Sequence, residues 1–453
     1  MGTNAVELPW GSERVRLDLP AEWRLLGTME PAVLAGAGDP TGCGHPLGSL
    51  GAGDARAEVE RSLQEPIGLP RLAQLAHAGM RVALVIDDNS RPTPVRLILP
   101  AVLAELARAG VAREQITVIP ALGVHRAMTE AEVARRVGES WGAGLPWESP
   151  DCDSPAKLAF LGTTKRGTPV YVNRTAAEAD LIVSVGCIEP HIIASFGGGY
   201  KNLFPGLAGR ATIAHNHAIN CRPASFNNVG RPIEQNPMRL DLEEAGSMLR
   251  PPVFIVNAVL NSALQVVRVV SGHPVQAHRV GVLVSAQIYG ARVPRPADVV
   301  ITNSCPMDQD LRQGVKALAN TIRALRPGGV MITLVRAEEG VGVFGLANRK
   351  LPVGRGALKA LAPVLLPLVP RLKLQGMGEE DRFFLYFALQ AMRHGELLMY
   401  APTLPAEIHE RLPFVTFSAT PEAALARARQ RFPGAAEVLV FPHGGSTYPI
   451  MPE

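Results

Sequence analysis

Three short apolar runs, at residues 81–86, 116–119 and 181–185, constrain this chain most. Each is continuous rather than alternating, as in strands buried on both faces of a parallel sheet. Each also stops abruptly at polar residues. The first ends in Asp87-Asp88-Asn89-Ser90-Arg91-Pro92-Thr93-Pro94. A helix follows, with Leu99, Val102, Leu103 and Leu106 on one face and Gly110 as a C-cap candidate. The second ends in Gly123-Val124-His125-Arg126, before a helix for which Thr129 is a candidate N-cap. The third ends at Glu189-Pro190-His191. This βαβ rhythm predicts a parallel sheet, which places ligands beyond the carboxyl ends of its strands. If the three strands are neighbours, their polar ends converge.

The densest chemistry lies between Val185 and His217. After the Pro190-His191 corner come Gly197-Gly198-Gly199, then Lys201, a Pro205-Gly206 turn, and His215-Asn216-His217. Consecutive glycines let backbone approach a ligand and offer N–H groups to a phosphate. A lysine beside them can pair with that phosphate or, with a depressed pKa, act as a nucleophile. His191, His215 and His217 can carry protons or bind a metal. His215 and His217 share a face in an extended segment and diverge in a helix. A glycine-rich turn with solvated histidines explains any one of these residues, but not the whole set.

A second βαβ unit begins near residue 298, with a strand to Thr302, a loop to Asp308 and a helix from Gln309 to Leu325. Gln313 and Lys316 lie three apart near the start of that helix, on one face. Pro327-Gly328-Gly329 is expected to end the helix, and Val330 to Val335 to form a strand. The fold class is therefore α/β, with two α/β domains, largely parallel sheets and the active site in the cleft between them. The first domain is assigned to residues 1–287 and the second, a substrate-capping domain, to 288–424. The tail, 425–453, is expected to rejoin the first domain, because its strand at Glu437–Phe441 needs a partner. Residues 29–55, rich in Gly, Ala and Pro, read as a linker.

Composition excludes several classes. A net charge of +4 over 453 residues, without a Lys/Arg block and with only 5% aromatics, argues against nucleic acid. The five cysteines, at 43, 152, 187, 221 and 305, form no CxxC pair, so neither a disulfide framework nor a zinc ribbon is expected. Charge at Glu7 and Glu13 interrupts any apolar signal core, and prolines and charges break the stretch from Ala357 to Leu374. A cytoplasmic protein without membrane association is expected.

Taken in order, these motifs resemble the nickel-pincer lactate racemase family, over nearly the whole chain. Asp88-Asn89-Ser90-Arg91-Pro92-Thr93-Pro94 resembles the family's Asp-x-Thr-Arg-Pro-x-Pro loop, and Gly123-Val124-His125-Arg126 its Gly-x-His-Arg. Pro190-His191, Gly198-Gly199-Tyr200-Lys201 and Pro205-Gly206 resemble its Pro-His…Gly-Gly-x-Lys…Pro-Gly block. Asn216-His217 resembles its Asn-His, and Pro306, Asp308-Gln309, Gln313 and Lys316 its Pro-x-Asp-Gln…Gln-x-x-Lys.

The resemblance implies an isomerase that racemises or epimerises a 2-hydroxy acid. It implies a nickel-pincer nucleotide, a pyridinium mononucleotide with two sulfur arms around nickel. Lys201 would tether this cofactor as a thioamide and His217 would ligate the nickel, while Asp88, Gly198, Gly199 and Gln313 would help to hold the cofactor. His125 and His191 would be the two acid/base groups of a reversible hydride shuttle, and Arg91 and Lys316 would hold the substrate carboxylate and polarise its oxygen. Biosynthetic partner proteins would supply the cofactor, and a homo-oligomer is possible.

The chain departs from the family pattern in three places. The family block reads Ala-Gly-aromatic-Ser-Gly-Gly, against Ala194-Ser195-Phe196-Gly197-Gly198-Gly199 here. Arg312 occupies the position of a tyrosine in lactate-acting members, which implies a substrate with a second anionic or polar group. A second-domain tryptophan of some members is missing, and Phe383 or Phe384, near Asp381, is the candidate replacement.

Three rival readings stand beside this one. A nicotinamide dehydrogenase would want a GxGxxG turn after an early strand, where this chain has Asp87-Asp88-Asn89. A zinc hydrolase built on His215 and His217 lacks HExxH or a carboxylate at ligand spacing. A non-catalytic carrier of the pincer cofactor would keep Lys201 and His217 but has no need of both His125 and His191.

Overall fold

The computed structural model describes residues 4–32, 52–225, 227–342, 344–348, 350–351, 353–372 and 379–452. Two largely parallel sheets, each carrying helices, organise it. The expected linker falls mostly outside the described residues.

The first sheet has five strands. Val82–Asp87 is central and pairs in parallel with Ile116–Ala121 on one side and Leu181–Cys187 on the other. Val253–Leu260 extends the sheet in parallel beyond Leu181–Cys187, and Val266–Gly272 closes it as an antiparallel edge. All residues of Val82–Asp87 and Leu181–Cys187 are buried, which accounts for their unbroken apolar text. The three runs that end in polar loops are thus adjacent strands pointing the same way. The helix Val95–Arg108 buries Leu99, Val102, Leu103 and Leu106, and Gly110 follows with φ +78°. Thr129 caps the helix Glu130–Val137 by accepting from the Glu132 N–H, and the Glu132 carboxylate accepts in return from the Thr129 N–H.

The second sheet has six strands, ordered Thr416–Phe417, Glu396–Tyr400, Leu325–Leu334, Ala297–Asn303, Ala436–Phe441 and Trp23–Thr28, all parallel. This order corrects the expected domain boundaries. The tail strand Ala436–Phe441 belongs to the second sheet, between Ala297–Asn303 and Trp23–Thr28. The N-terminal strand Trp23–Thr28 lies there too, so the second unit takes both ends of the chain. The tail did need a partner, but the free edge available to it was that of Ala297–Asn303. Beyond it, Tyr448–Ile450 pairs with Gly290–Arg292, close to the crossing from the first unit.

Pro327-Gly328-Gly329 also differs from expectation. The helix Leu311–Thr321 stops earlier, and the Pro-Gly-Gly segment lies in the strand Leu325–Leu334, where the register to Ala297–Asn303 shifts. Cys152, Cys187, Cys221 and Cys305 are free thiols. Among the described residues, no helix is long and apolar enough to cross a membrane.

Candidate active site

The carboxyl ends of the first sheet open into a cavity whose other wall is built by the second unit. Asp88, Arg91, His125, His191, Lys201 and His217 line it from one side, and Arg312, Gln313 and Lys316 from the other. The three polar strand ends therefore meet, and they meet the start of the Leu311–Thr321 helix.

Asp87 and Asp88 are consecutive carboxylates with different roles. Asp87 ends its strand and is paired with Arg136 and Thr93, an arrangement that fixes the loop. Asp88 faces the cavity and accepts from the Ser90 N–H at 3.1 Å and the Ser90 hydroxyl at 2.5 Å. Its other oxygen lies 2.5 Å from His125 Nδ1. Burial works against the Asp88 charge, but the contacts with His125, Ser90 and Arg91 outweigh it and hold the carboxyl well below the usual range. An ionised carboxylate only accepts, so His125 donates from Nδ1 and, when neutral, keeps Nε2 as a proton acceptor.

His191 is oriented in the opposite sense. Its Nδ1 accepts from the backbone N–H groups of Ile193 and Ala194, each at 3.2 Å. A neutral His191 therefore carries its proton at Nε2. Burial, with the charges of Lys201, Arg91 and Lys316, pushes its pKa well below the ordinary imidazole value. The two histidines follow strands on either side of Val82–Asp87, one offering an acceptor and the other an N–H.

Lys201 lies in the single 3-10 turn Gly199–Asn202. Burial and the Arg91 charge push its amine well below the usual lysine range, against the pull of Glu189. The glycines before it are not on the cavity wall, contrary to expectation. The N–H of Gly199 is already given to Asn257 Oδ1 at 2.8 Å, and Arg239 donates to the carbonyls of Gly198 at 3.2 Å and Gly197 at 3.3 Å. Gly198 and Gly199 have φ of +73° and +63°, and a Cβ on Gly198 would lie 2.7 Å from Asn257 Oδ1. The glycines are there to turn the chain against buried side chains and aim Lys201 outward; they form no phosphate cradle. Ser195, also displaced from the family pattern, is buried and accepts from Asn236 at 3.0 Å.

His215 and His217 fall in the helix Arg210–Ala218, so they diverge. His217 lines the cavity. Its Nδ1 is buried with no hydrogen-bond partner among the described residues. Burial and the Lys201 charge push its pKa down to about 4. His215 turns away and bonds Thr168 at 2.8 Å, leaving the site to its neighbour.

Gln313 lines the cavity with its Oε1 buried and unpartnered among the described residues, while its N–H is used by the Asp310 cap at 2.7 Å. Lys316, one turn on, has its pKa lowered by burial. Glu189 was visible in the sequence only as a strand-end acid. It accepts from Arg91 at 2.5 Å, and its second oxygen is buried without a hydrogen-bond partner among the described residues. Burial opposes its charge, but Lys316, Arg91 and Lys201 hold the carboxyl below its ordinary value. It is the shared counter-ion of the site's cations. Of the two phenylalanines proposed from the sequence, Phe384 lines the cavity and Phe383 is wholly buried behind it.

The family of the lactate racemase N-terminal domain matches residues 49–227. A lactate racemase of Thermoanaerobacterium thermosaccharolyticum is 30% identical over 343 residues, 75% of this chain and 76% of the relative. The chain belongs to the lactate racemase family. A second family member, the lactate racemase of Lactiplantibacillus plantarum, is 30% identical over 63% of this chain and 67% of its own length. The lactate racemase apoprotein structure from T. thermosaccharolyticum superposes with a TM-score of 0.81 at 26% identity, covering 99% of this chain and all of the other. A Thermotoga maritima protein shares the fold, with a TM-score of 0.63 at 15% identity over 90% of this chain and all of its own.

Proposed function

We propose that this chain racemises or epimerises a 2-hydroxy acid, with a nickel-pincer nucleotide as its cofactor. The observation that carries the proposal is the meeting in one cavity of two oppositely oriented histidines, His125 and His191, with the buried amine of Lys201 and the imidazole of His217.

The residues present fit the cofactor. Lys201, kept below the usual lysine range, offers a nucleophilic amine for a covalent tether. His217 offers a neutral ring nitrogen to a metal. Among the described residues, no group of three His, Cys, Asp or Glu side chains could hold a metal ion. A metal at His217 would have to bring its other donors with it, which a pincer cofactor would supply. Asp88 and Gln313 complete the polar surroundings.

When bound, the cofactor would supply an acceptor for the hydride at C2. The remaining work falls to the chain. Arg91 and Lys316 hold the substrate carboxylate, and Glu189 keeps both cations in place. His125 takes the hydroxyl proton at Nε2, with Asp88 accepting from Nδ1 and stabilising the imidazolium that forms. His191 presents its Nε2–H to the oxygen in the position that the other enantiomer requires.

The test is protein co-expressed with the cofactor biosynthesis proteins, examined by intact mass, nickel content and loss of optical purity of 2-hydroxy acids. A mononucleotide-sized mass with about one nickel per chain, lost in Lys201→Ala, is the expected result. A carrier would load the cofactor yet leave every 2-hydroxy acid optically pure.

A further inference from the structure

The catalytic groups line only part of the cavity. Among the described residues, every lining residue from 344 onward is apolar, including Phe344, Leu346, Phe384, Phe387 and Phe414. Phe384, Phe387, Ala388 and Ala391 are spaced i, i+3, i+4 and i+7, so they form one face of the helix Glu379–His394. Such a stripe normally packs into a core. Here it borders the cavity, and at 388, a half-buried position, the side chain is an alanine, which leaves room that a larger residue would fill. Phe344 and Phe384 meet edge to face, centroids 5.7 Å apart at 87°, and Phe384 is braced by Phe383 at 6.1 Å. This arrangement suits the edge or face of another ring.

The polar lining residues come instead from the strand ends, the Lys201 turn, the His217 helix and the Leu311–Thr321 helix. Arg312 acts on both His217 and Lys316, which places its charge with the reactive groups. A methyl group held at the catalytic end would leave most of that wall in contact with water.

We infer that the substrate is a 2-hydroxy acid with a bulky apolar side chain, aromatic or branched, and that Ala388 makes room for it. This inference rests on the racemase reading above. Each buried methylene contributes about a fourfold gain in binding. A benzyl side chain in place of methyl is therefore expected to raise kcat/KM on the order of 100-fold.

The experiment compares racemisation of lactate, malate and 3-phenyllactate by the cofactor-loaded protein and by Ala388→Leu. Calorimetry of phenylpyruvate and pyruvate binding to the same preparations accompanies it. The expected result is 3-phenyllactate far ahead of both other acids, with its ratio to lactate falling at least tenfold in Ala388→Leu. Phenylpyruvate should bind more tightly than pyruvate. Preference for lactate or malate, or an unchanged ratio in the variant, overturns the inference and leaves the racemase reading intact. If no acid is racemised, the racemase reading fails, and calorimetry alone decides the inference: equal or weaker binding of phenylpyruvate removes it. The wild-type comparison stands even if Ala388→Leu does not fold.

Discussion

The two walls of the cavity are built differently. The first-unit wall consists of strand ends and the loops that follow them, and nearly every functional side chain there is fixed by a second polar group. His125 is held by Asp88, His191 by two backbone N–H groups, Arg91 by Glu189, and the turn carrying Lys201 by Asn257 and Arg239. The second-unit wall adds Arg312, Gln313, Lys316 and Asn320, and from residue 344 onward every described lining residue is apolar. Chemistry that must be oriented to a fraction of an ångström sits on a sheet edge, and a surface that only needs shape sits on a helix face. Substitutions on the first wall should therefore act on the reaction itself, and those on the apolar part of the second on the choice of substrate.

The largest expected effect is that of Lys201→Ala, which should abolish both the covalent mass and the racemisation. Retention of the added mass would move the tether elsewhere. His125→Asn should lower kcat by roughly 10³-fold with little change in KM, because proton transfer is lost while binding remains. Asp88→Asn should cost about 10²-fold in kcat, since the amide can donate to Nδ1 and favour the wrong tautomer. If steady-state assays show the Asp88 variant unimpaired, the pair is not the base.

Stability should also report the first wall. An imidazole in an unfolded chain titrates near 6.5, whereas buried His217 titrates at about 4, and His191 and His278 also lie well below the ordinary value. Between those values the unfolded chain binds protons that the folded chain refuses, so stability falls as pH drops from about 6.5 towards 4. His217 alone accounts for a loss on the order of 3 kcal/mol over that window. Urea denaturation at pH 7, 6 and 5 should show the decline, with a shallower slope in His217→Gln. The smallest effect belongs to His215→Ala, two residues away but turned towards Thr168, which should change kcat by less than about threefold. A loss as large as that of His217→Ala would contradict the helical geometry.

The sequence made the first wall legible because its strands are buried on both faces and their ends are punctuated by polar residues. It concealed what depends on distant segments. Asn257 and Arg239 hold the glycine turn from far along the chain, so the glycines suggested a phosphate cradle when they serve close packing. Glu189 stood at a strand end, but only proximity to Arg91, Lys201 and Lys316 gives it a role. The tail strand was recognisable as a strand, yet its neighbour is chosen by the free edge of Ala297–Asn303, which no local pattern encodes. The apolar wall is hardest to read, because Phe384 and Phe387 have the spacing of ordinary core residues. Only the cavity beside Phe384 and Ala388 distinguishes them.

The most direct test of the account follows the C2 hydrogen. A 2-hydroxy acid deuterated at C2 is given to the cofactor-loaded protein in ordinary water, and the racemised product is examined by mass spectrometry. If the histidines handle only the hydroxyl proton and C2 moves its hydrogen as hydride, the inverted product retains the deuterium. Loss of the label to solvent in step with inversion would mean that the chain removes a proton from C2, and the roles assigned to His125 and His191 would be wrong.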